Sequence, residues 1–179
     1  MLDSLITSKT RIKLLMRLFL NSNSYGHLRG LQTEFGESSN AIRLELNRFE
    51  QAGLLTSRTE SNRKVYSANT THPLYPEINS ILRKHLGFDQ IIERIIEKLG
   101  KINEVYLEGE FAHGRESNVI NMLIVGDNIN TTYLDALILK SQNLIKRAIT
   151  YKLLTPDSFH TLLNSTPPDG ILLLWKQND

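Results

Sequence analysis

The chain has 179 residues, 40% apolar and 22% charged, with ten Gly, five Pro and no Cys, which excludes collagen-like, low-complexity and disordered classes, disulfides and thiolate metal sites. No apolar run approaches the roughly 20 residues that span a bilayer, and Met1-Leu2-Asp3-Ser4 lacks the basic segment and apolar core of a secretory signal, so a cytoplasmic protein without a membrane partner is expected. The net charge of +2 is uneven: up to His72 ten Lys and Arg face six Asp and Glu, and from Pro73 onward eleven face thirteen, which suits the front half alone to a polyanionic partner.

Ser8 is placed to cap a helix from about Lys9 to Leu20, with Ile12, Leu15, Met16 and Phe19 at helical spacing and Asn21-Ser22-Asn23-Ser24 ending it. A short second helix is predicted over roughly His27 to Phe35, with Leu28, Leu31 and Phe35 inward. Gly36 allows the left-handed turn that follows. Glu37-Ser38-Ser39 supplies capping side chains for a third helix to about Gln51, burying Ile42, Leu46 and Phe49 and closed by Ala52-Gly53-Leu54. Two alternating runs, Leu55 to Thr59 and Lys64 to Ala68, flank the turn composition Glu60-Ser61-Asn62-Arg63. Helix, helix, turn, helix, hairpin is the order of a winged helix-turn-helix.

Asn69-Thr70-Thr71-His72-Pro73 is polar and broken by Pro, which places a boundary there. A helical connector is expected over residues 73–100. Pro76 begins its first helix, which runs to Leu86, and Gly87 interrupts. A second helix, about Asp89 to Leu99, carries the stripe Ile91, Ile92, Ile95, Ile96 and Leu99, to be covered by its own chain or by a second copy, with dimerisation the favoured use. In residues 101–179 the period changes. Glu104 to Glu108, Val119 to Val125, Arg147 to Leu154 and Ile171 to Trp175 read as strands, with helices over Tyr133 to Ile145 and from Thr155-Pro156-Asp157. The expected class is α+β: a winged helix-turn-helix over 1–72, the connector, and a small α/β domain with a mixed or parallel sheet.

The third helix carries the residues that suit a DNA major groove, whose width admits a helix and whose base edges are distinguishable. Asn40, Arg43 and Asn47 share one face, opposite Ile42, Leu46 and Phe49. Arg bonds bidentately to guanine and Asn to adenine, while Ser38, Ser39 and the free N–H groups at the helix start suit phosphate. At the hairpin, Arg58, Asn62, Arg63 and Lys64 form a phosphate clamp or minor-groove probe. Glu45 and Leu44 do not fit this face. Leu44 is placed either to touch a thymine methyl or to pack against the second helix.

Residues 8 to 68 resemble the winged-helix domain of ArsR-like bacterial regulators, on the run from Ser38 to Leu55 with its Gly53-Leu54 exit. That resemblance implies a homodimer on an inverted-repeat operator that represses transcription. Metal-sensing members use cysteines or histidine clusters; here Cys is absent and His27, His72, His85, His113 and His160 are scattered, so no metal site is expected.

Val105 to Gly114, followed by Val119 to Gly126, resembles the core of minimal nucleotidyltransferases. In that family a strand enters Gly-Ser-x-Ala-x-Gly, and a second strand carries Asp-x-Asp for two divalent cations. Alternate strand positions aim two carboxylates at one site, where two metals bridge the attacking and leaving oxygens. In this chain those positions fall on Val119 and Asn121, and Glu110 stands at the Ser position. The strand from Arg147 to Leu154 supplies no third carboxylate, and Glu108, Glu110, Glu116 and Asp127 are the acids left to substitute. His113 and Arg115 remain in the former phosphate loop for an anion. The reading is a non-enzymatic, DNA-binding transcriptional regulator with neither catalytic residues nor a cofactor. The alternative is a nucleotidyltransferase or nucleotide-binding protein with an accessory DNA-binding arm.

Overall fold

The computed structural model describes residues 2–99 and 101–177. It is a mixed α and β structure with eight helices and two sheets among those residues. No helix among them is long and apolar enough to cross a membrane. Contacts divide the chain into two units, residues 1–85 and 86–179.

In the first unit, α1 (Leu2–Leu5) and α2 (Lys9–Phe19) lead into β1 (Tyr25–His27), α3 (Leu28–Phe35), α4 (Ser39–Gln51), β2 (Leu55–Glu60), β3 (Arg63–Ala68) and α5 (Tyr75–Leu86). Ser8 caps α2 by accepting from the Arg11 N–H at 3.2 Å, and Gly36 ends α3 at φ 65°. Gly26 and Leu31 pack so closely that a Cβ on Gly26 would lie 3.1 Å from Leu31 Cδ2. The buried face of α2 is broader than the spacing of Ile12, Leu15, Met16 and Phe19 indicates: Leu14 and Leu18 are fully buried and Ile12 only partly. The Phe19 and Phe49 rings meet edge to face at 5.9 Å, joining α2 to α4 in one apolar core with Leu31, Ile42 and Leu46. Asn79 on α5 donates to the carbonyls of Phe19 and Leu20 at 2.8 and 2.9 Å, satisfying the C-terminal end of α2.

β1 was not expected from the sequence. It pairs antiparallel with β3, His27 opposite Val65, giving the sheet order β1-β3-β2. Glu37, expected to help cap α4, instead accepts from Lys13 Nζ at 2.8 Å and from Thr10 Oγ1, and Ser38 alone among the expected trio caps through its side chain, accepting from the Ala41 N–H at 3.2 Å.

The second unit contains α6 (Phe88–Leu99), β4 (Ile102–Glu108), β5 (Val119–Gly126), α7 (Thr131–Ile145), β6 (Ala148–Leu154), α8 (Pro156–Ser165) and β7 (Ile171–Lys176). Its sheet has the order β6-β5-β4-β7; β5 and β6 are parallel, and the other two pairings are antiparallel. The parallel pair is joined by α7, as a crossover connection requires. The apolar stripe of α6 is covered within this unit, by α7 with further contacts to β4 and β7. Ile91, Ile92, Ile95 and Leu99 are buried there and Ile96 partly so. Leu123, Val125 and Phe159 form a second cluster where α8 meets the sheet, flanked by Tyr106, Leu154 and Ile171.

Candidate nucleic-acid interface

Amphipathicity fixes the orientation of α4. With Ile42, Leu46 and Phe49 buried, Asn40, Arg43 and Asn47 stand exposed. Leu44 is also half exposed rather than packed away. Glu45 is not part of that face. It is buried and accepts from Arg11 Nε at 2.9 Å, Ser8 Oγ at 3.1 Å and Arg48 Nη1 at 3.2 Å. Burial raises its pKa, but the hydrogen bonds from Arg11 and Ser8 and the charges of Arg11 and Arg48 outweigh burial and hold the carboxyl below its ordinary value. Glu45 is a structural tie between α4 and the start of α2.

The hairpin turns on Ser61 and Asn62, both left-handed at φ 45° and 61°. A two-residue turn of this kind matches the twist of the strands it joins. It places Arg63 and Lys64 on the returning strand. Arg58 Nε lies 2.5 Å from Glu60 Oε1 and its guanidinium rests over the Tyr25 ring, 5.8 Å from the centroid. Lys64 Nζ lies 2.7 Å from Glu50 Oε2 and 5.1 Å from the Tyr66 centroid.

Between the start of α3, the exposed face of α4 and the hairpin lies a cleft of about 490 Å³. Of the nine residues singled out in the sequence, Arg43, Asn47, Asn62, Arg63 and Lys64 line it, while Ser38, Ser39, Asn40 and Arg58 do not. His27 and Arg29 also line it, and sequence reasoning missed both. Their signal was slight: Arg29 has no acid within four residues on its own helix, so no local ion pair accounts for it. Only the pairing of β1 with β3 shows that the start of α3 lies beside the hairpin. Among the described residues, Arg29, Arg43 and Arg63 have no carboxylate partner. Three uncompensated guanidinium groups around one concave surface are suited to polyanion.

In the second unit, Val119 is partly exposed, and the Asn121 amide oxygen accepts from Thr150 Oγ1 at 2.7 Å. A Cβ on Gly109, at φ 73°, would come within 3.0 Å of Asn121 Nδ2, so the turn after β4 closes on this amide. Three of the four candidate substitute acids face separate cations: Glu108 pairs with Lys152 at 2.7 Å, Glu110 with Arg115 at 2.8 Å and Glu116 with Arg147. His113 in turn faces Asp169 at 3.6 Å. No group of three or more His, Asp or Glu among the described residues could hold a metal ion.

No family model matches the chain, and no curated protein matches it. Solved structures with some likeness include reduced HlyU from Vibrio cholerae, 18% identical over 49% of this chain and 82% of its own, with a TM-score of 0.37. NolR from Sinorhizobium fredii is 20% identical over 48% of this chain and 81% of its own, with a TM-score of 0.37. A predicted DNA-binding transcriptional regulator from E. coli is 21% identical over 47% of this chain and 81% of its own, with a TM-score of 0.35. Likenesses this weak assign no function.

Proposed function

We propose that the chain is a sequence-specific, double-stranded-DNA-binding transcriptional regulator, acting as a homodimeric repressor, with a non-catalytic nucleotidyltransferase-like second unit. The observation that carries this reading is the cleft in which unpaired Arg29, Arg43 and Arg63 converge beside Asn47 and Asn62. α4 enters the major groove, where Arg43 and Asn47 read base edges and Asn40 lies on the same exposed face. The hairpin, through Arg63, Asn62 and Arg58, tracks the adjacent backbone. Arg29 contributes a further phosphate contact from the start of α3. Ser38 and Ser39 bring the start of α4 to phosphate through backbone N–H groups, the Ser38 hydroxyl being engaged in capping.

The rival, a metal-dependent nucleotidyl transfer, requires converging carboxylates, and here Glu108, Glu110 and Glu116 are each paired with a separate cation. Passage of sheared genomic DNA over the immobilised full chain, followed by sequencing of what is retained, tests the proposal. Recovery of fragments sharing a two-fold-related sequence is expected; no retention at modest salt would overturn it.

A further inference from the structure

Glu50 stands in the last turn of α4, on the helix proposed to read DNA. Its carboxylate reaches both strands of the hairpin: Oε1 accepts from Ser57 Oγ on β2 at 2.5 Å, and Oε2 from Lys64 Nζ on β3 at 2.7 Å. The pair is solvent-accessible, with Lys64 and Glu50 side chains 47% and 31% exposed. The hydrogen bonds from Lys64 and Ser57 hold the Glu50 carboxyl below its ordinary value, and the bond that Lys64 donates to Glu50 raises Lys64. Lys64 also lines the cleft with Arg43 and Arg63, which have no such partner.

We infer that Glu50 tempers the electrostatic grip of the hairpin on DNA by competing with phosphate for Lys64; the inference rests on the DNA-binding reading. Exposed Lys–Glu pairs are weak, so phosphate draws Lys64 away, but only against the carboxylate, which is left beside the polyanion. Lys64 therefore contributes less to binding than an unpaired hairpin cation would. Binding to arbitrary sequence is almost wholly electrostatic, whereas binding to the correct site adds base contacts. A carboxylate that blunts one cation therefore lowers the binding of any duplex, and a random-sequence duplex reads that effect without base contacts.

The test measures affinity of the full chain for a duplex of random sequence across a salt series, for wild type, Glu50→Gln, Lys64→Ala and the double variant. Each phosphate contact contributes about 0.9 to the slope of log affinity against log salt. Glu50→Gln is expected to bind more tightly at low salt and to steepen the slope towards that increment. Its affinity then falls up to about 3.5-fold more than that of wild type between 50 and 200 mM salt. Lys64→Ala is expected to change the slope by nearly the full increment in the Glu50→Gln background and by clearly less in wild type. An equal effect of Lys64→Ala in both backgrounds would overturn the inference. So would weaker binding by Glu50→Gln at an unchanged slope, which is the behaviour of a purely structural brace; thermal melts of each variant check that it is folded. Failure of wild type to bind any duplex would instead overturn the DNA-binding reading itself.

Discussion

Arg11 Nε on α2 lies 2.9 Å from Glu45 Oε2 on α4, and the carboxylate is 7% exposed while the guanidinium is 36% exposed. Glu45, opposite the exposed face of α4, is thereby turned inward, where it fixes the helix against α2. Glu45→Gln keeps the shape and removes the charge, and is expected to cost roughly 1.5–3 kcal/mol, the range for hydrogen bonds to charged groups. Because the folded carboxyl lies below its ordinary value near 4.5, its stabilisation is present above that value and is lost as pH falls through the folded one. Denaturant melts from neutral to acid pH should show a lower midpoint for the variant at neutrality and a narrowing gap in acid. A gap that is constant with pH would place the effect elsewhere.

Arg43→Ala is expected to relax preference at one base position at a cost of roughly 1–3 kcal/mol. Binding-site selection from a random pool checks this, and an unchanged preferred sequence would remove Arg43 from the reading face.

Arg29→Ala should behave differently. Arg29 belongs to the cleft but not to α4, so its loss is expected to weaken all sequences alike and reduce the salt slope by about 0.9. A salt titration on two unrelated duplexes is the check; an unaltered slope would place Arg29 away from phosphate.

Gly87 is left-handed at φ 78°, and a Cβ there would lie 2.9 Å from Ile145 Cγ2. Gly87→Ala is expected to destabilise by about 1–2 kcal/mol from the backbone conformation alone, with displacement of Ile145 added. Thermal unfolding reads the loss, and an unchanged melting temperature would refute it.

Incubation with labelled nucleoside triphosphates and magnesium is expected to give no label transfer. Transfer above a no-protein control would restore the rival enzyme reading and contradict the assignment of Val119 and Asn121 to the metal-ligand positions.

Elements marked by local chemistry were legible in the sequence. Ser8, Ser38 and Gly36 announce helix ends through their own side chain or backbone freedom, and the hairpin turn falls on the polar run from Glu60 to Arg63. Features set by distant partners were not. β1 is three residues without an alternating pattern and exists through its pairing with β3. Glu45 looked misplaced because Arg11 and Ser8 lie 34 and 37 positions away. The cover over the α6 stripe comes from α7, β4 and β7, later in the chain. At the candidate site, exposure and charge showed which side chains on α4 face outward. They did not show that Lys64 is held by Glu50, nor that Arg29 joins the cleft.

The most direct measurement compares the full chain's affinity for a fragment recovered from genomic DNA with its affinity for the same fragment scrambled, for wild type and Arg43→Ala at matched salt. The account predicts at least about a 10³-fold preference in wild type, sharply reduced in the variant while the salt slope is unchanged. Equal affinity of wild type for the recovered and scrambled fragments would contradict it.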